Sequence, residues 1–129
     1  MSLHFLMTRS SNLVVRTYIP ERNHIVWIDL DPKKGKEIGK YRPCIILSSK
    51  EYNKRTGLII CCPISTSIRG HVTEVPVNNL DKPSVVAASI VQTLSWRDRN
   101  IKYIAEAESN VFEDTLVRLL PLMGADKIL

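Results

Sequence analysis

The segment His24–Ser48, HIVWIDLDPKKGKEIGKYRPCIILS, decides the fold, because it contains two apolar runs that are separated by a basic loop. The first run, His24–Leu30, is rich in branched and aromatic residues, which is typical of a short strand. The second run, Arg42–Ser48, predicts another strand, and Pro43 is tolerated near its start because a ladder donor is not needed there. Asp31–Tyr41 has two glycines, four lysines and no apolar period, which predicts a mobile basic loop.

Further apolar segments continue this pattern along the chain. Leu58–Ile64 predicts a third strand after a polar connection at Glu51–Gly57. Val85–Leu94 is mostly apolar or small and predicts one buried central strand. Val72–Val77 resembles an edge strand, and Ile101–Glu106 predicts a short final one. Short strands joined by short connections predict a compact barrel or sandwich.

The C-terminal segment changes to a helical period. Its apolar residues at helical spacing are Phe112, Leu116, Leu119, Leu120 and Met123. They predict an amphipathic helix that packs against the core. Asn110 and Glu113 resemble a capping box at its start, and Pro121 near Gly124 predicts its end.

Length and composition indicate an ordinary globular domain. A chain of 129 residues with 44% hydrophobic and 24% charged residues can bury one sizeable core and is not expected to be disordered. Lys and Arg exceed Asp and Glu by 18 to 13, which gives a net charge of +5. That charge permits a polyanionic partner such as nucleic acid without demonstrating one.

The cysteines favour a reducing compartment. Cys44, Cys61 and Cys62 are odd in number and lie in apolar runs, and the adjacent Cys61 and Cys62 point to opposite faces of a strand. We interpret them as reduced core thiols of a cytoplasmic protein. A metal site has little support, because the chain has no C-x2-C pair and its histidines are scattered.

The N-terminal segment is predicted to lie outside the folded domain. Its apolar residues are interrupted by polar ones, so it lacks a secretory pattern, and no stretch of the chain reaches the ~20 apolar residues of a membrane helix. We expect residues 1–17 to be a flexible extension and residues 18–129 to form a single domain. A basic arm that touches RNA is the alternative for the extension.

A few polar residues lie where strands meet loops and can carry chemistry. If the partner is RNA, its cleavage without a metal ion requires positive charge at the phosphate, and the planar guanidinium of Arg42, at the end of the basic loop, suits that task. A lone arginine at a strand edge is more commonly a solvated or ion-paired residue. Ser65 and Thr66 follow the third strand and can bind a phosphate, although turn capping is the commoner role of such hydroxyls. Glu37 is the candidate acid or base, although most exposed loop glutamates only contact water.

Other basic residues are candidates for contacts with a nucleic acid, if one is bound. The candidates are Lys34, Lys36, Lys40, Arg69 and Arg97. Arg97 follows Trp96, and such a mixture of aromatic and cationic residues is common in proteins that bind single-stranded RNA. Trp96 is equally compatible with a place in the core.

At this point the sequence resembles the MazF/PemK (also Kid) toxins of bacterial toxin–antitoxin pairs, from about Tyr18 to Gly124. The most specific motif is D-P-x-x-G-x-E at Asp31–Glu37, followed by G-x-x-R-P at Gly39–Pro43. The other matching segments are Tyr18–Pro20, Ile25–Leu30, Ile46–Ser48, Tyr52-Asn53, Thr56-Gly57, Cys62–Thr66 and Ser95–Arg97. The ordered set makes chance agreement improbable.

The resemblance implies a mainly β fold, a small SH3-like or CcdB-like barrel with a C-terminal helix, which forms a homodimer. It implies sequence-specific cleavage of single-stranded messenger RNA to 2′,3′-cyclic phosphate and 5′-hydroxyl ends, with no metal or cofactor. It also implies an antitoxin whose acidic, disordered tail covers the RNA-binding groove. By the same resemblance, Arg42 binds the phosphate and stabilises the oxyanion or acts as acid, and Glu37 supports positioning or proton transfer.

Two positions depart from the family pattern. The usual catalytic threonine aligns with Ser65, which keeps the hydroxyl and is slightly favoured, and Thr66 is the alternative. An Asp-Gln pair found in many members is replaced by Ser89-Ile90, which affects the expected target sequence and keeps a non-catalytic RNA-binding module as an alternative. A CcdB-like toxin that inhibits DNA gyrase is the other alternative, although it is not expected to need the G-x-x-R-P motif.

Overall fold

The computed structural model describes residues 3–9 and 12–129, with side chains described from Thr17 onward. Its first two strands, β1 (Leu3–Arg9) and β2 (Asn12–Thr17), pair antiparallel in a sheet of their own. Residues 1, 2, 10 and 11 of the predicted flexible extension lie outside the described residues. The flexibility of the extension stays a prediction.

The main sheet is antiparallel and curls into a half-barrel, with the strand order β6-β7-β5-β4-β3-β9 and with β8 also paired to β5. Its strands are β3 (His24–Asp29), β4 (Tyr41–Ile46), β5 (Leu58–Ser65), β6 (Glu74–Val77), β7 (Ser84–Ala87), β8 (Gln92–Ser95) and β9 (Lys102–Glu106). Within the described part of the chain, two α-helices accompany it, α1 (Lys50–Thr56) and α2 (Val111–Leu122). The prediction of a mainly β fold with a C-terminal helix is confirmed.

Apolar residues alternate along the central strands between two cores on opposite faces of the sheet. The first core contains Ile45 and Cys62 and is covered by α2. The second core contains Cys44, Cys61 and Trp96. Cys61 and Cys62 therefore point to opposite faces as predicted, and all three cysteines are buried free thiols.

The polar connection predicted at Glu51–Gly57 is wrong, because this segment lies mostly in helix α1. Ser49 caps the helix by accepting a backbone N–H of the first turn at 3.2 Å. At the other end Gly57 adopts a left-handed φ of 72°, and its N–H donates to the Asn53 carbonyl at 3.0 Å. A helix of seven residues is too short to show an apolar period, so its caps are the signal that the sequence offers.

The single central strand predicted at Val85–Leu94 is also wrong. A 3₁₀ turn at Ala88–Ile90 separates β7 from β8. Both strands pair with β5, but β7 lies opposite Ile64 and Ser65, whereas β8 lies opposite Leu58–Cys61. The turn begins with the fully buried Ala88, so an unbroken run of small and apolar residues hides the interruption.

Helix α2 matches the predicted helical period and ends before Gly124, whose φ of 79° is left-handed. The predicted capping box is wrong. Asn110 already has helical backbone angles, and its side chain donates to the Asp114 carboxylate at 2.9 Å instead of accepting from the first turn. Among the described residues, no helix has the length and apolar character that crossing a membrane requires.

Candidate functional site

The basic loop of residues 31–40 is closed at its base by backbone contacts and by Asp31. The N–H of Leu30 donates to the Lys40 carbonyl at 2.8 Å, and the Asp31 carboxylate accepts the N–H of Lys40 at 2.8 Å. Gly39 is buried at this closure, and a Cβ there would lie 2.5 Å from Asp31 Oδ1. The close approach of Gly39 to Asp31 favours glycine at position 39. It also links the D-P-x-x-G-x-E part of the motif, which begins at Asp31, to the G-x-x-R-P part, which begins at Gly39.

Arg42 is the second residue of β4 and lies opposite Ile28 of β3. Its Nε donates to the Gly39 carbonyl at 2.8 Å, and its two Nη groups have no hydrogen-bond partner among residues 17–129, so they remain for a ligand. The side chain is half-buried, and within residues 17–129 no carboxylate lies within ion-pair distance of it. The loop therefore orients a guanidinium that no counter-charge occupies, which suits phosphate binding.

The register of β4 and β5 places Arg42 and Ser65 together. The antiparallel pairing sets Cys44 opposite Pro63, and extending it by two residues sets Arg42 across from Ser65. Alternation puts both side chains on the face of the second core, because Cys44 and Cys61 belong to that core. The arginine and one hydroxyl thus share one edge and one face of the sheet.

Ser65 and Thr66 have different surroundings. Ser65 is half-buried, and its Oγ accepts the N–H of Ser67 at 3.0 Å, which leaves its O–H to donate. Thr66 is exposed and lines a cavity of about 470 Å³ together with Trp27 and Pro43. Trp27 and Pro43 alternate with residues of the second core, so this cavity lies on the opposite face from Arg42.

Glu37 is exposed and closes a turn inside the basic loop. Its Oε1 accepts the N–H of Lys34 at 2.7 Å, and its own N–H donates to the Lys34 carbonyl at 3.1 Å. Glu37 and Lys36 form one side of a cavity of about 330 Å³, and Ser89–Gln92 form the other side. We call this space the loop cavity. The structure thus brings Glu37 next to the segment that separates β7 from β8.

The predicted RNA-binding cations are exposed, and most of them flank the edge that carries Arg42. Those in the loop before β4 or the loop after β5 are Lys34, Lys36, Lys40 and Arg69. One of these loops leads into β4 just before Arg42, and the other leaves β5 at Ser65. Their contact with RNA stays a prediction.

Arg97 lies at the other end of β5, next to α1. Its Nη2 donates to the Lys54 carbonyl at 2.9 Å, and its guanidinium lies 4.8 Å from the centre of the Trp96 ring. Trp96 is only 3% exposed, and its Nε1 donates to the Asn53 carbonyl at 2.9 Å. Trp96 is therefore a core residue, and the structure does not bring Arg97 together with Arg42.

Gln92 is a polar residue of this region that the sequence did not single out. It pairs with Cys61 and alternates with Leu94 and Trp96, so it lies on the second-core face together with Arg42. Its Nε2 is buried and has no hydrogen-bond partner among the residues that the structure describes. In the sequence, the sign of such a residue is a single amide side chain inside an apolar stretch. An ordinary strand has the same appearance, so the sequence does not mark Gln92 as functional.

The sequence is similar to those of known proteins. The family model for the PemK-like, MazF-like toxin of type II toxin–antitoxin systems matches residues 21–123. The endoribonuclease toxin MazF of Escherichia coli K12 is 35% identical over 86 residues, which cover 67% of this chain and 78% of that protein.

Solved structures give the same result. The crystal structure of MazF from Deinococcus radiodurans has a TM-score of 0.80 and 35% identity, and the match covers 83% of this chain and 98% of that one. MazF in a MazE–MazF complex from the same organism has a TM-score of 0.74 and 35% identity, over 83% of this chain and 97% of that one. The chain therefore belongs to the family of PemK-like, MazF-like toxins of type II toxin–antitoxin systems.

Proposed function

We propose that this chain, an endoribonuclease toxin of the MazF type, cleaves single-stranded messenger RNA by attack of a ribose 2′-hydroxyl on the adjacent phosphorus, without a metal ion. The observation that carries the proposal is the register that sets Arg42 across from Ser65 on one face, beside a loop with four lysines. The expected products carry a 2′,3′-cyclic phosphate and a 5′-hydroxyl.

The chemical step forms the O2′–P bond and breaks the P–O5′ bond, so the 2′-hydroxyl loses a proton and O5′ gains one. We assign to Arg42 the binding of the non-bridging phosphate oxygens and the stabilisation of their growing negative charge. The O–H of Ser65 donates to the same phosphate group. Glu37 keeps the loop in shape through its contacts with Lys34 and supports proton transfer.

This mechanism makes a direct prediction about metal ions. We expect cleavage of a single-stranded RNA to continue in excess EDTA, because the positive charge at the phosphate comes from the protein. The measurement is end mapping of the products, which should show new 5′-hydroxyl and 2′,3′-cyclic phosphate ends. Strict dependence on Mg²⁺ would contradict the mechanism, and inhibition of gyrase supercoiling without any RNA cleavage would favour the CcdB-like alternative.

A second prediction separates the two neighbouring hydroxyls. Ser65→Ala is expected to lower the cleavage rate about a hundredfold, as the loss of one preorganised donor does in other enzymes. Thr66→Ala is the matched control and should change the rate less than about threefold, since its side chain lies on the other face. The measurement is the initial rate on one RNA oligonucleotide, and the reverse order of the two effects would assign the hydroxyl to Thr66.

We further propose an antitoxin partner whose acidic, disordered segment covers the lysines of the basic loop, and action in the cytoplasm, where messenger RNA is found. We also propose a homodimer. The exposed apolar side chains of α2, Val117 at 66% and Leu122 at 58%, offer a surface for it. Sedimentation of the purified protein measures the oligomeric state.

A further inference from the structure

We infer that the loop cavity is a base-recognition pocket and that Gln92 reads a carbonyl oxygen of one RNA base there. The inference deepens the proposed function, on which it rests, because it names the group that selects the target sequence. The base that fits is uracil or guanine. Both have a carbonyl oxygen directly beside a ring N–H.

The first support is the unsatisfied amide. The Nε2 group of Gln92 is buried and has no hydrogen-bond partner among the described residues. A buried donor without an acceptor costs about 1–3 kcal/mol, so a site with one is primed for a ligand that supplies the acceptor. A carbonyl oxygen of a base is such an acceptor, and adenine has none.

The second support is the cavity that Gln92 lines. The loop cavity has a volume of about 330 Å³, near the lower end of the ~300–1,000 Å³ that ligand pockets occupy. Ile90 and Val91 give it apolar walls for the face of a planar ring, while the Ser89 hydroxyl and the second Glu37 oxygen can accept a ring N–H. The opposite wall carries Lys36, whose ammonium can hold a neighbouring phosphate.

The third support is the position of the pocket relative to the chemical site. Gln92 of β8 lies opposite Cys61 of β5. Cys61 precedes Ser65 by four residues on β5, and the three side chains lie on the same face of the sheet. Four residues of a strand span about 13 Å. A single-stranded RNA whose phosphate lies at Arg42 and Ser65 therefore places a nearby base within reach of the loop cavity, and unstacked bases are what proteins read in single strands.

The test compares Gln92→Leu, which keeps the size of the side chain and removes its amide, with Thr93→Val as the matched control. Thr93 is the next residue of β8 and is exposed. Sequencing of cleaved ends should show uracil or guanine strongly preferred at one position near the cut for the wild-type protein. Gln92→Leu should still produce 5′-hydroxyl ends but lose about tenfold of that preference, whereas Thr93→Val should keep it.

A binding measurement separates failure of this inference from failure of the proposed function. Short oligouridine, oligoinosine, oligoadenosine and oligocytidine with 2′-O-methyl groups throughout cannot be cleaved by 2′-hydroxyl attack, and the base of inosine carries the same carbonyl oxygen and ring N–H as guanine. We expect the wild-type protein to bind oligouridine or oligoinosine most tightly and Gln92→Leu to lose that preference. If the wild-type protein shows this preference but does not cleave RNA, the pocket stands and the proposed function fails. An unchanged target sequence in Gln92→Leu, or equal binding of the four oligonucleotides by the wild-type protein, overturns the inference.

Discussion

Arg42→Ala is expected to lower the rate of RNA cleavage by about 10²–10³-fold or more while the protein stays folded. The substitution removes the guanidinium that the Gly39 carbonyl orients at 2.8 Å, and with it the charge that balances the growing oxyanion. The measurement is the single-turnover rate on an RNA oligonucleotide in EDTA. Arg42→Lys should recover only part of the rate, since an ammonium keeps the charge and loses the planar fork.

A matched arginine provides the control for this prediction. Arg55 lies on α1, its side chain is 77% exposed, and its only ion pair within residues 17–129 is with Glu51 at 3.9 Å. Arg55→Ala removes the same charge from α1, which precedes β5 and so lies at the opposite end of that strand from Ser65, and it should leave the rate within about twofold. Equal losses in the two variants would show that net charge, and not the position of Arg42, supports cleavage. Undiminished cleavage by Arg42→Ala would remove Arg42 from the site.

Asn53→Ala is expected to lower the free energy of unfolding by about 3 kcal/mol and the melting temperature by about 10 °C. Asn53 is completely buried. Its Nδ2 donates to the Pro20 carbonyl at 2.8 Å, and its Oδ1 accepts from the Ser48 hydroxyl, which in turn accepts the N–H of Ile60 at 2.9 Å. Alanine leaves these partners buried without the amide, so several hydrogen bonds are lost together.

Urea unfolding followed by fluorescence measures this change. Asn79→Ala is the control, because Asn79 also donates through its amide to a backbone carbonyl, that of Glu106 at 2.9 Å, but is exposed to water. We expect it to cost less than about 1 kcal/mol. If Asn53→Ala costs no more than Asn79→Ala, the buried network does not stabilise the fold as argued.

Strands with a clear apolar pattern could be predicted from the sequence. The His24–Leu30 and Arg42–Ser48 runs correspond to β3 and β4 within two residues at each end, because alternating burial leaves a period that can be read directly. Where the local sequence carries no such period, the predicted secondary structure was wrong. Helix α1 has no visible period, and the interruption between β7 and β8 is buried like the strands around it, so only the partner strand β5 reveals it.

The candidate site could be predicted from the sequence only where a local motif describes it, and the roles of its residues stay predictions. Arg42 and Glu37 belong to one sequence motif, in which Gly39 leaves no room for a side chain next to Asp31. In the structure Glu37 lies within the basic loop, and Arg42 contacts the end of that loop. The choice between Ser65 and Thr66 depends on which face each side chain occupies, which the pairing of β4 with β5 decides. Gln92 was not predicted, because a buried donor is recognised as unsatisfied only when all its neighbours are known.

Strand β5 lies between two parts of the sheet, because it pairs with β4 and also with β7 and β8. The proposed catalytic groups, Arg42 and Ser65, lie on the paired strands β4 and β5, whereas the loop cavity lies between the basic loop and the short break that separates β7 from β8. A substitution in that break reshapes the cavity and leaves the pairing of β4 with β5 in place. If the loop cavity reads a base as inferred, substitutions in the break can change the target sequence of such a toxin while Arg42 and Ser65 are retained.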